Sequence, residues 1–297
     1  MSLASTAAGH AAPAEVTAGG AAAAAAATQP APSKCDRAKF RIILDVGHTA
    51  ESYGAMSARN ISEFDYNLKL GNRIDEKLKS EGFSETVLLV TTGKARPSLM
   101  KRVAVANKKG ADLFVSIHHD SVPGLYVEKW EFEGKQRSFN DFFGGYSVFV
   151  SQRNPHYQAS LKFAKLLGNQ MAARELQFAR QYDQWFMGKY RRELLDIDAG
   201  VYRYDELIVL RMTQMPAVLV ESGSIINRDE ELVMASDEHK NKVAAAVASA
   251  ATEYCETRGP APPLVAKPAP QAKKPPPRLA QQPKTAKPAS TRSARKR

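Results

Sequence analysis

Four residues of this 297-residue chain are the best equipped to do chemistry together: His48, Glu63, His118 and Glu221. Two histidines and a carboxylate around a metal with an open fourth position make a hydrolytic zinc site, and a second carboxylate can serve as general base on water. Three of the four follow apolar runs: FRIIL leads to His48, LFVSI to His118 and AVLV to Glu221. Short runs rich in β-formers read as buried strands. In open α/β sheets, functional groups gather just beyond the carboxyl ends of such strands. Glu63 opens the first helix, close enough in sequence to His48 to fold back over the same strand end.

Taken singly, each residue has a plainer reading. A histidine at a strand end is commonly a hydrogen-bonded rim residue, and Glu63 alone is an ordinary helix-start acid favoured by the dipole. Glu221 is harder to dismiss, because a carboxylate directly after Ala-Val-Leu-Val is partly buried and costly without a partner. In FVSIHHDS, His118 and His119 point to opposite faces of a strand, so at most one of them joins any single site. His10, in an Ala-rich head, and His156 and His239, in polar surroundings, are assigned no chemistry. GxSxG, GxxxxGKS/T, GxGxxG and HExxH patterns are all missing, so serine-hydrolase, P-loop, dinucleotide and zincin chemistries lack a starting motif.

The elements that must position these residues alternate between strand and helix. FRIIL is followed by ISEFDYNLKLGNRIDEKLKSEGF, a helix with Phe64, Leu68, Ile74 and Leu78 at helical spacing, Ser62 as N-cap and Gly82 as stop. TVLLVTT is a strand, and SLMKRVAVANKKGA a helix with Leu99, Val103 and Ala106 on one face, ending at Gly110. DLFVSIHHD is a strand, followed by a long loop with aromatic residues, and GYSVFVS is another strand. SLKFAKLLGNQMAARELQ is helical, PAVLVESG is a strand, and DEELVMASDEHKNKVAAAVASAATEYCETRG closes the domain as helix. This alternation predicts an α/β fold: a single domain with a largely parallel (mixed) open sheet and helices on both faces.

Composition sets the limits of that domain. Residues 1–37 form an Ala-rich leader and residues 259–297 a basic tail of Pro, Lys and Ala, both expected to be disordered, around a folded part over 38–258. Eleven of the 42 Lys and Arg residues fall between Arg258 and Arg297, which leaves 31 basic against 31 acidic residues elsewhere. The net charge of +11 therefore belongs to the tail together with Arg258 at its start, and the fold lacks the basic footprint of a specific nucleic-acid binder. No apolar run reaches the ~18 residues of a membrane span, and no intact signal peptide is visible. Cys35 and Cys255 bracket the domain, as a bridge in an oxidising compartment or as two thiols.

The blocks LDVGH, SEFDYNLKLGNRIDEKL, LMKRVAVANKKGADLFVSIHHDS and MPAVLVESGSIIN, in this order, resemble the zinc-dependent N-acetylmuramoyl-L-alanine amidases of the Amidase_3 (AmiC-like) family across most of residues 40–256. The family's first block is usually DPGHG, where this chain has Val46 and Thr49, and its SIHAN block is SIHHD here. The resemblance implies one zinc ion per chain on His48, Glu63 and His118, with Glu221 as the catalytic carboxylate. It implies hydrolysis of the amide between the lactyl group of N-acetylmuramic acid and L-alanine in peptidoglycan. A zinc peptidase or deacylase and a non-catalytic wall-binding module are the competing readings.

His119, Asp120, Tyr126 and Trp130 are candidates for substrate contacts, the last two within the loop at 122–144, where packing on the domain is an equal alternative. Some members of the family carry a regulatory helix near the position of residues 177–199, displaced by a protein activator. This segment contains Glu193, a candidate regulatory ligand, and its alternative is a surface excursion packing Trp185 and Phe186. Peptidoglycan as partner implies a periplasmic or cell-wall location, where the basic tail is able to contact anionic wall or membrane surfaces.

Overall fold

A computed structural model of the chain describes residues 35–258; residues 1–34 of the leader and the tail lie outside the described residues, whereas residues 35–37, expected as the end of the leader, are described and joined to the fold through Cys35. The chain alternates strand and helix as β1 (Ile42–Val46), α1 (Glu63–Ser80), β2 (Val87–Leu89), α2 (Ala95–Lys109) and β3 (Leu113–Asp120). A hairpin of β4 (Glu128–Phe132) and β5 (Lys135–Phe139) follows, then β6 (Ser147–Val150) and α3 (Tyr157–Ala172). The chain closes with β7 (Glu193–Asp196), β8 (Val201–Arg203), α4 (Ile208–Met212), β9 (Ala217–Ser224), α5 (Arg228–Ala235) and α6 (Asp237–Thr257). Seven strands form one sheet in the order β2-β1-β3-β9-β6-β8-β7, and β4-β5 stands apart. The four strands β2, β1, β3 and β9 are mutually parallel, while β6 runs antiparallel to β9 and β7 antiparallel to β8.

Both sheet faces are covered, which is why β1 is buried at every position. Leu44, Val115, Ile117 and Val220 pack with Leu70, Ile74, Phe163 and Val247 of α1, α3 and α6. Ile43, Phe114 and Leu219 pack on the other side with Val103 and Ala106 of α2 and with Val209 and Leu210 of α4. A disulfide joins Cys35 to Cys255, tying the segment before β1 to the end of α6 across a separation of 220 residues.

Local sequence signals explain most boundaries. Ser62 caps α1 by accepting from the Asp65 amide, and Gly110 ends α2 in the left-handed conformation. The expected last helix is two helices, because the Ser236 side chain accepts from the His239 amide and starts α6 afresh. The loop at 122–144 contains a hairpin, and residues 181–183 and 185–190 form short 3₁₀ turns, with β7 added at the sheet edge.

Candidate metal centre

At the end of β1 the backbone turns sharply: Gly47 donates to the Ile117 carbonyl at 2.9 Å, and His48 adopts φ 66°. A non-glycine residue in this left-handed region is uncommon, and here it turns the imidazole over the end of β3. Gly47 has to be glycine, since a Cβ there would sit 2.5 Å from His118 Nε2. Gly54, at φ 77°, is confined in the same way, 2.4 Å from Glu63 Oε2 and 2.7 Å from the His48 ring.

These close approaches gather the three ligand candidates. Glu63 Oε2 lies 3.0 Å from His48 Nε2, and Glu63 Oε1 lies 2.9 Å from His118 Nδ1. One ligand atom from each of His48, Glu63 and His118 falls within 4.8 Å of the others, the grouping that could hold a metal ion. Two imidazoles and a carboxylate are the nitrogen and oxygen donors that zinc and other borderline divalent ions take, so the residues fit such an ion. Glu63 is 5% exposed. Burial raises its pKa, but hydrogen bonds and charge from His118 and His48 outweigh that and hold it well below the usual carboxylate range.

A second set of side chains fixes the first. Asn67, one helical turn after Glu63 and fully buried, donates through Nδ2 to Glu63 Oε1 at 3.3 Å and to the Gly47 carbonyl at 3.2 Å. Its Oδ1 is left to accept from His119 Nδ1 at 2.7 Å. His119 is 3% exposed, and burial drives its pKa down to about 3, so it is a neutral prop behind the site. On the far side of the sheet, Arg102 of α2 pairs with Asp45 of β1 at 3.3 Å, both almost completely buried, and donates to the His48 carbonyl. Ser116 Oγ donates to the same Asp45 carboxylate at 2.8 Å. Arg102 thus holds the turn that carries His48.

Glu221 reaches the site through register. It is the partner of His118 where β9 lies parallel to β3, and residues in register on adjacent strands share a face. Its Oε2 is buried without a hydrogen-bond partner, and burial, then the Asp120 and Glu63 carboxylates, push its pKa well above the ordinary value. Asp120 follows at the end of β3, where it accepts a hydrogen bond from Tyr182 Oη; burial is the main cause that raises it to about 7. Both line a cavity of about 260 Å³ completed by Tyr182, Met187, Tyr190 and Arg192 from the 177–199 segment.

The remaining candidates lie elsewhere. Tyr126 Oη donates to the Phe186 carbonyl at 2.5 Å on the rim of a neighbouring groove lined by Leu125, Phe142 and Phe186. Trp130 donates to the Ala58 carbonyl at 3.2 Å, stacks on Phe132 and sits between Arg59 and Arg228, so it pins the hairpin to the loop before α1. Glu193 is exposed on β7 and paired with Arg203 at 3.0 Å, outside the grouping around His48. His156 is at the N-cap of α3, and His239 lies within 3.1 Å of Ser222 Oγ.

Residues 42–253 match the Amidase_3 model, described as N-acetylmuramoyl-L-alanine amidase. The chain is 26% identical to the N-acetylmuramoyl-L-alanine amidase AmiC of Escherichia coli, over 76% of this chain and 55% of the relative, so it spans about half of AmiC. It is 24% identical to AmiA of Salmonella typhimurium, over 73% of this chain and 76% of that protein. The crystal structure of the N-acetylmuramyl-L-alanine amidase Ami1 from Mycobacterium smegmatis superposes with a TM-score of 0.57 at 21% identity, covering 74% of this chain and 98% of the other.

Proposed function

The chain belongs to the Amidase_3 family of N-acetylmuramoyl-L-alanine amidases and is a hydrolase of that class acting on peptidoglycan, and from that premise we propose how its site works. His48, Glu63 and His118 hold one zinc ion, and Glu221 is the catalytic carboxylate. The supporting observation is the register that sets Glu221 beside His118 with Oε2 buried and unpartnered. Zinc on this donor set supplies Lewis-acid chemistry, polarising the lactyl carbonyl and lowering the pKa of water toward ~7. Glu221 Oε2 takes a proton as water adds to the lactyl carbonyl carbon, and returns it to the nitrogen of L-alanine as the carbon–nitrogen bond breaks.

Asp120 and the 177–199 segment form a wall of the substrate cleft beside Glu221. The regulatory reading of Glu193 is the weaker one, because its carboxylate is engaged by Arg203. The disulfide and the substrate together favour an extracytoplasmic address, periplasm or cell wall, since such bonds persist in oxidising compartments. No described helix is long and apolar enough to cross a membrane. Glu221→Gln should keep zinc and lose roughly 10²–10⁴-fold of turnover on purified sacculi, while His118→Ala should lose both. Digestion by the Glu221→Gln variant at the wild-type rate would show that another group is the base.

A further inference from the structure

Three separated parts of the chain wall the cavity beside Glu221: Asp120 past the ligand end of β3, the excursion carrying Tyr182 and Arg192, and Tyr204 beyond β8. Among the described residues that line it, Arg192 is the one cation, set against the acids Asp120 and Glu221. The base of the excursion is fixed, since the Arg192 amide donates to the Tyr182 carbonyl at 2.7 Å. Its guanidinium lies 3.9 Å from the centre of the Tyr204 ring and donates through Nη1 only to the backbone carbonyls of Arg191 and Lys189, at 3.0 and 3.4 Å. It makes no ion pair with another described residue, and its Nε is buried without a partner.

The cavity is therefore lined by an acid and a cation of which neither is ion-paired with another described side chain, Glu221 and Arg192. Charged groups beside a cavity are costly to leave unpaired, and a water, an ion or a ligand meets that need. The ligand that answers both presents a donor to Glu221 and an anionic acceptor to Arg192. Arginine favours carboxylates above other small anions of peptides, because its planar fork matches two carboxylate oxygens.

We propose that Arg192 is the carboxylate-binding residue of the stem-peptide subsite, taking the free α-carboxylate of the residue that follows L-alanine. This rests on the amidase reading, under which the nitrogen of L-alanine faces Glu221. The second stem residue is a glutamate linked through its side-chain carboxyl, which leaves its α-carboxylate free or amidated. That group lies five bonds from the L-alanine nitrogen, roughly 5–6 Å at about 3.3–3.6 Å of extended chain per residue. A cavity of about 260 Å³ accommodates both groups.

The test uses soluble glycan strands with stem tripeptides whose α-carboxylate is either free or amidated, digested by the full chain. The wild type should prefer the free acid by about tenfold in kcat/KM, mainly through KM, the size expected of one charge-assisted contact. Arg192→Gln should bring that preference close to one, and Arg192→Lys should restore part of it. Circular dichroism and Tm measured on the same samples separate a lost contact from a lost fold. A wild type without preference, or a folded Arg192→Gln variant that weakens both forms equally, overturns the proposal. A wild type that releases stem peptide from neither form overturns the amidase reading, and the proposal with it.

Discussion

At the scale of single residues, the site is a problem of close approach solved by two glycines and an asparagine. Gly47 and Gly54 leave space that any side chain would fill, and Asn67 joins Glu63, Gly47 and His119 with three hydrogen bonds. Asn67→Ala should reduce zinc affinity by about 10–100-fold with secondary structure intact, as is usual for groups that orient a metal ligand. Competition with a chelator of known affinity measures it, and unchanged affinity would make Asn67 a packing residue only. His48, His118 and Glu221 were legible because each follows an apolar strand, where a polar residue stands out. Asn67 was not legible, because a polar residue on an amphipathic helix reads as part of its solvent face. Arg102 lies next to Val103 on the face that the spacing of Leu99, Val103 and Ala106 made apolar, and only its buried partner Asp45 explains it.

At the scale of elements, the parallel strands β1, β3 and β9 and the helices between them follow from periodicity. The departures occur where function bends it. The apolar spacing of α1 pointed to Phe64 and Leu68, yet the buried face is Glu63, Tyr66, Asn67, Leu70, Gly71, Ile74 and Leu78. The first two turns are rotated so that Glu63 and Asn67 face inward, an arrangement stabilised by their bonds to the histidines. The β4-β5 hairpin and the 177–199 segment were illegible for another reason, since their aromatic residues pack against loops and arginines with no helical or strand period. Because the Arg192 amide and the Tyr182 carbonyl close the excursion, residues 183–191 can be replaced by a short Gly/Ser linker without touching the sheet. A cleft wall predicts several-fold lower activity on sacculi in a folded protein, read alongside Tm. Higher activity would identify the segment as a lid.

At the scale of the whole molecule, the Cys35–Cys255 bridge closes almost the entire fold into one loop. Closing a long loop limits the unfolded chain, so replacing both cysteines with serine should cost about 2–5 kcal/mol in denaturant melts under oxidising conditions. Turnover at 25 °C should persist, because the bridge lies at the start of the described chain and the end of α6, away from the ligand loops. Sequence placed the two cysteines at the ends of the domain, but pairing needs the distance across the fold, which is 5.3 Å between Cα atoms. The central claim is that a single zinc ion on His48, Glu63 and His118 makes this chain an amidase. The measurement that tests it most directly is release of stem peptides with a free L-alanine amino group from purified sacculi, as zinc is added back to chelator-stripped protein. The account predicts that release rises from background and saturates at about one equivalent of zinc per chain. Release that is undiminished in the stripped protein, or that never appears at any zinc level, would contradict it.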